Sequence, residues 1–391
     1  MNGEVPGLYS DLNDVAASAL ADRLCTGLAA AVWKDGKTVW SFAGGTTCEP
    51  EALSSALSPP LDHPTGTGEL SVCTVETVEH ATLFDAASLT KPLATAPLVM
   101  KAWETGALDL DAPLGRFLDG LPAATAALPI RALMTHTAGL PAIPALHLHF
   151  QDPTRLDRAE AAARLLAIEP ERPVGAQVLY SCTGYQLLGL VLEKLGDRLL
   201  GELFKEELAV PAGLSHAGFA PSILPDGMPE QLPHAAATEY CTWRKRRIQG
   251  QVHDESAYCL GGHAGNAGLF LNLESALALG SLYLQEGWYQ GRQLLQPSTI
   301  ASMLLPFTTG MEEQRSLAFR YHDADTSDGP LWPATAFGHT GFTGTSIMFE
   351  PRHRIMAVLL TNRVYFGRDA TQERIVAFRK RFHSTVWSAF C

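Results

Sequence analysis

The chain has 391 residues, 46% of them hydrophobic, and a formal net charge of -12 at pH 7. That length accommodates two domains, or one large domain with a subdomain, and that composition buries a sizeable core. The acidic balance argues against nucleic acid or an anionic membrane as the main partner, and no apolar run reaches the length of a membrane span.

The seven cysteines (Cys25, Cys48, Cys73, Cys182, Cys241, Cys259 and Cys391) are odd in number and form no C-x-x-C pair. Such scattered thiols suggest a reducing compartment rather than a disulfide framework. Residues 1–20 lack a charged stretch followed by an apolar one, so no secretory signal is expected. The expected location is therefore the cytoplasm.

In chain order, residues 12–24 are alanine-rich with helical spacing of apolar positions. Residues 27–45 predict a hairpin, with apolar runs at 28–33 and 38–42 on either side of an Asp35-Gly36 turn. Residues 48–79 are rich in Pro, Ser, Thr and Gly and predict an extended surface insertion, which either shapes one wall of a cleft or is passive surface. A strand-like segment at Phe84 then runs into Ser88-Leu89-Thr90-Lys91, the one S-x-x-K in the chain. If the chain is helical from Leu89, Ser88 and Lys91 share a face one turn apart, close enough for the amine to meet the hydroxyl. A serine needs an adjacent base to become a nucleophile, and a lysine serves if burial or neighbouring cations lower its pKa.

Residues 92–194 turn helical, with breaks at 109–113 and 141–144, and residues 184–194 predict a buried helix stopped by Gly196. Another helix follows to about 208. Residues 209–265 are loop-like, and within them the basic run Arg244-Lys245-Arg246-Arg247, after Trp243, reads as a solvated loop rather than an RNA contact. Residues 243–258, with His253-Asp254, are expected to fold over a site as a substrate loop. Helices are expected at 273–286 and 297–304, strands at 345–350 and 354–362, and a last helix at 371–386. Strands at both ends flanking a helical middle imply one sheet assembled from both termini, with an all-helical domain inserted.

Two further motifs follow Ser88–Lys91: Tyr180-Ser181-Cys182, and Gly338-His339-Thr340-Gly341-Phe342-Thr343-Gly344. Supporting stretches lie at 130–140 and 261–270. In order and spacing this set resembles the serine β-lactamase and penicillin-binding-protein superfamily, nearest its class C β-lactamase-like and esterase branch. That family has Tyr-Ser-Asn at the second motif and Lys-Thr-Gly or His-Thr-Gly at the third. The resemblance implies an α+β fold of the β-lactamase/transpeptidase-like type. An α/β sandwich with an antiparallel sheet (residues 1–85 and 266–391) would face a mainly helical domain (86–265) across a cleft.

By the same resemblance Ser88 is the acylating nucleophile, and Lys91 and Tyr180 share the proton traffic, with Lys91 supplying the positive charge that lets a phenol act as a base. The backbone N–H groups of Ser88 and Phe342 would form the oxyanion hole. Gly341 would let substrate lie against the strand edge, and Thr340 and His339 would line it, His339 bonding near the Tyr180 hydroxyl or the acidic end of the substrate. Neither a cofactor nor a metal is expected, and the partner is a small-molecule substrate, with no nucleic acid and no membrane.

Each residue also has a structural reading: Ser88 as a helix cap, Tyr180 as a core aromatic, His339 as a strand histidine. His136, His147 and His149 read as structural. Gly213-Leu214-Ser215-His216-Ala217 mimics a nucleophile elbow but lacks its second glycine.

The departures from the family pattern are Cys182, a poor hydrogen-bond donor where an amide is usual, and His339, largely neutral at pH 7 where lysine is frequent. Both weaken recognition of amide-bearing, carboxylate-bearing substrates relative to simple esters. The expectation is a serine hydrolase forming an acyl-enzyme on esters or small amides or lactams. D-alanyl-D-alanine carboxypeptidase-like or β-lactamase activity is one alternative, and a non-catalytic acyl or muropeptide sensor is another.

Overall fold

The computed structural model describes residues 9–49, 73–220, 232–323 and 329–391. Strands β1 (Gly27–Lys34) and β2 (Lys37–Gly45) form the expected hairpin. Asp35 and Gly36 both take left-handed φ angles, 50° and 89°, which is the backbone that matches a two-residue turn to the twist of its strands. Four strands from the far end complete the sheet: β3 (Arg320–Tyr321), β4 (Phe337–Thr340), β5 (Ser346–Glu350) and β6 (Ile355–Thr361). The order is β3-β4-β5-β6-β1-β2, every neighbour antiparallel, with Ala30 opposite Leu359 where the two ends of the chain meet.

β1 is buried on both faces, and its alternation therefore feeds two cores. Leu28, Ala30 and Val32 pack with Leu359, Ile375 and Phe382 under α1 (Ser10–Ala21) and the terminal helix. Ala29, Ala31 and Trp33 face the larger core, shared with Val358 and Leu279. Small side chains on β1 leave room for the helix over it. Gly280 of that helix is so close to the sheet that a Cβ would lie 2.5 Å from the sulfur of Met356.

The Phe84 strand does not join this sheet. Phe84–Asp85 pairs with Leu269–Leu271, which also pairs with Ala217–Phe219, so residues 209–265 hold a short strand where loop was expected. The chain then enters a 3-10 turn (Ala87–Leu89), a π turn (Lys91–Thr95) and helix α2 (Ala96–Glu104). Helix α3 (Cys182–Gly196) is capped by Ser181, whose Oγ accepts from Gly184 N at 3.2 Å. It ends at Gly196 as expected, but the left-handed position that closes it is taken by Asp197, at φ 50°, a conformation a short polar side chain tolerates. Helices α4 (Leu273–Leu284) and α5 (Gln372–Phe390) follow, α5 running beyond its expected end.

The basic run also departs from expectation. Arg244 is buried, donating to Val252 O and His253 O at 2.8 and 2.6 Å, while Arg246 and Arg247 form a short strand with Tyr240–Cys241. A planar guanidinium satisfies several carbonyls at once, which permits that burial. Of the expected insertion, residues 50–72 lie outside the described residues. Among the described residues no helix is long and apolar enough to cross a membrane.

Candidate active site

Ser88 stands on a turn whose shape is set from below. Asp85 is buried, and its carboxylate accepts from Ala87 N (2.8 Å) and from His253 N (2.7 Å). The first bond is an Asx-type closure that holds Ala87 at φ 48°, left-handed for a residue with a Cβ. Burial pushes the Asp85 carboxyl up, opposed by those two N–H donors. Thr90 adds a clasp, its Oγ1 donating to Ala87 O at 2.7 Å.

The turn that follows β4 is stitched onto the same segment. Thr343 Oγ1 donates to Asp85 O (2.8 Å), and Thr345 Oγ1 donates to Ala86 O (3.1 Å). Gly341 makes this approach possible, since a Cβ there would lie 2.0 Å from Thr345 Oγ1 and 2.7 Å from Ala86 O. Phe342 follows, 46% exposed, and no acceptor among the described residues takes its backbone N–H.

Lys91 is wholly buried, with Nζ 3.0 Å from Ser88 Oγ, 3.2 Å from Asn266 O and 3.5 Å from Cys182 Sγ. It also lies 4.9 Å from the centre of the Tyr180 ring. Burial works to lower its pKa, but Cys182 and Tyr180 outweigh burial and hold it above the ordinary lysine value. The condition for a neutral lysine base, a lowered pKa, is thus opposed by the groups packed against Lys91, which hold it toward its charged form.

Tyr180 is placed by a residue that the sequence left as merely structural. His136, at φ 59°, accepts from Ser181 N on Nδ1 (3.0 Å) and from Leu179 N on its carbonyl (2.8 Å). Its ring also packs 4.5 Å from that of Tyr180. Burial and the nearby Arg315 keep His136 well below the usual histidine pKa, so Nδ1 remains an acceptor.

His339 is likewise buried and held far below its ordinary pKa, by burial first and then by Lys91 and Arg315. Its ring bonds Thr340 O through Nδ1 at 2.9 Å and passes 6.0 Å from the Tyr180 ring, rather than bonding the Tyr180 hydroxyl.

Ser88, Tyr180, His339, Thr340, Gly341 and Phe342 line one cleft of about 350 Å³, with Cys182 and Lys91 behind it. Arg315, Arg320, Arg363 and Arg379 line the same cleft. Arg315 and Arg320 are paired with Glu313, at 2.6 and 3.3 Å. Among the described residues Arg363 and Arg379 form no ion pair and bond carbonyls and neutral side chains instead, Arg379 to Gly341 O at 2.6 Å and Arg363 to Phe342 O at 2.8 Å. Burial lowers them to about 10 and about 9, still charged at neutrality. The loss of fixed positive charge expected from His339 is thus offset by arginines that no motif marks, because they come singly from separate elements. The segment at His253 does adjoin this region, its ring stacking 5.7 Å from Phe342. Among the described residues no cluster of three or more His, Cys, Asp or Glu is placed to hold a metal.

A sequence model of the family described as Beta-lactamase matches residues 12–380. Over 314 residues the chain is 30% identical to an Escherichia coli (strain K12) protein named "Putative D-alanyl-D-alanine carboxypeptidase", covering 72% of this chain and 69% of that one. It is also 30% identical over 311 residues to a Bacillus subtilis (strain 168) protein named "N-acetylmuramyl-L-alanine amidase", covering 72% and 68%. The solved structure of "EstCE1, a hydrolase with promiscuous acyltransferase activity" superposes with a TM-score of 0.67 at 20% identity, over 97% of this chain and 98% of that one. At that identity the likeness is one of fold.

Proposed function

The chain belongs to the beta-lactamase family of hydrolases, and from that premise we propose that it is a serine hydrolase acting through an acyl-enzyme on Ser88. One observation carries this reading: the buried Lys91 amine lies 3.0 Å from Ser88 Oγ and 4.9 Å from the centre of the Tyr180 ring. With Lys91 held toward its charged form, we assign the serine proton to Tyr180, whose ring lies beside that amine. Ser88 Oγ then attacks the acyl carbon, and the N–H groups of Ser88 and Phe342 hold the oxyanion. Collapse expels the leaving group, which recovers the proton from Tyr180, and water releases the acyl group by the reverse route.

The arginines of the cleft favour an acyl donor with an acidic end, and Cys182 favours an ester over an amide. A second reading, D-alanyl-D-alanine carboxypeptidase or β-lactamase activity, draws on those same arginines, since both substrate types carry a carboxylate. The odd number of cysteines and the lack of a C-x-x-C pair support the cytoplasm as the working location.

The test is turnover of p-nitrophenyl esters and a chromogenic cephalosporin, with mass mapping of a fluorophosphonate adduct. Ser88→Ala should lower ester turnover by about 10³-fold or more. Ester hydrolysis by Ser88→Ala at the wild-type rate would remove Ser88 as the nucleophile. Adduct formation without turnover of any substrate would favour an acyl sensor.

A further inference from the structure

Five of the seven cysteines stand apart: Cys25, Cys241 and Cys259 are buried, Cys182 lies beside Lys91, and Cys391 ends the chain. The other two lie together. Cys73 packs against the small cluster formed by Cys48, Ala237 and Tyr365, together with Phe366.

The backbone on each side is fixed independently of the thiols. Thr46 and Thr77 form an antiparallel bridge. Thr47 N donates to Glu76 O, while Thr47 Oγ1 donates to Thr74 O and accepts from Glu76 N, each at 2.9 Å. Gln249 clasps Thr74 from the other side, accepting from its N–H and donating to its carbonyl, both at 2.9 Å. Cys48 Sγ also lies 3.5 Å from the Tyr365 hydroxyl, which accepts from Glu49 N, and Arg247 sits 4.0 Å above the Tyr365 ring.

We infer that Cys48 and Cys73 are a redox modification site, closing reversibly to a disulfide that joins the two ends of the 49–72 stretch when the protein meets a peroxide. The surroundings divide the two thiols into an attacking and a resolving partner. The neighbouring Cys73 holds Cys48 at about 7 against the effect of burial, with help from Tyr365 and Arg247 and opposition from Glu49. The neighbouring Cys48 and burial push Cys73 upward, so it stays a neutral thiol.

The Cys48 thiolate attacks one peroxide oxygen, the O–O bond breaks, and the departing hydroxide is protonated to water, leaving a sulfenic acid. Cys73 sulfur then attacks that sulfur. The S–S bond forms, the S–O bond breaks, and a second water leaves with the Cys73 proton. Two thiols lose two electrons, and one peroxide becomes two waters. A reduced pair at rest agrees with the scattered, unpaired thiols of the rest of the chain.

The experiment uses the full chain, reduced, then exposed to a slight excess of hydrogen peroxide. The protein is alkylated under denaturing conditions and digested with a glutamate-specific protease. The expected product is peptide 70–76, carrying Cys73, linked through Cys48 to the peptide ending at Glu51, with two fewer alkylated cysteines and full reversal by dithiothreitol. Cys48→Ser and Cys73→Ser should each lose the linked peptide while keeping the ester turnover of the reduced wild type. Cys73→Ser should retain a sulfenic acid on Cys48 that dimedone traps. A wild type that yields sulfenic or sulfinic acid on Cys48 without the link, or a link through any other cysteine, overturns the inference.

Discussion

Lys91 is the side chain on which the chemistry turns, and its charge state comes from neighbours rather than from burial alone. Burial disfavours the charged form of a lysine, and the thiol and phenol packed against Lys91 act in the opposite direction. Cys182 matters for a second reason, since on the proposed reading its thiol stands where an amide would bond a substrate carbonyl. Cys182→Asn should therefore raise cephalosporin or amide turnover relative to ester turnover by about tenfold, the value of roughly one good hydrogen bond. An unchanged ratio would show that the amide position is not used. Among the arginines Arg320 is the most reachable, with a side chain 31% exposed and no contact to the Tyr180 ring. Arg320→Met should raise the KM of a carboxylate-bearing ester about threefold to tenfold and leave a neutral ester unchanged. Equal effects on both esters would point to altered packing instead.

Among the elements, the joint between the β4–β5 turn and the Ser88 turn fixes the proposed nucleophile, Ser88, relative to the Phe342 N–H of the proposed oxyanion hole. The two meet through Thr343, Thr345 and the missing side chain of Gly341. Gly341→Ala forces them apart, and a displacement near 1 Å should lower kcat/KM by about 10²-fold while the circular dichroism spectrum stays native. Wild-type kcat/KM in that variant would mean that the joint is looser than its hydrogen bonds suggest. His136 does for Tyr180 what Asp85 does for Ser88: each holds backbone N–H groups so that the reactive side chain follows.

Across the whole molecule, buried neutral histidines couple folding to pH. His263 is lowered to about 4 by burial, and His136 and His339 fall well below their ordinary value of 6.5 for the same first reason. Below pH 6.5 the unfolded chain takes up protons that the folded chain refuses, so stability falls as pH drops from 6.5 towards 4. His263 alone accounts for about 2 kcal/mol at pH 5. Glu239, held at about 2 despite burial by His253 and Arg368, extends the loss below pH 4.5, while the raised Asp85 acts in the opposite direction. The urea midpoint should be clearly lower at pH 5 than at pH 7.5, and His263→Gln should reduce the difference. Equal midpoints would contradict the buried neutral histidines.

The sequence by itself determined the hairpin at Asp35-Gly36, the long helices, the sheet drawn from both ends and the order of the three motifs. Each of these depends on patterns among close neighbours: turn residues, apolar spacing, a hydroxyl one turn from an amine. The tertiary structure alone decided that Arg315, Arg320, Arg363 and Arg379 share a cleft and that Asp85 and His136 hold the reactive turns. It alone decided which groups surround the Lys91 amine and that Cys73 packs into the cluster of Cys48. Those outcomes depend on groups far apart in the chain, whose distance and burial set their charge and reach, and no local pattern carries that information.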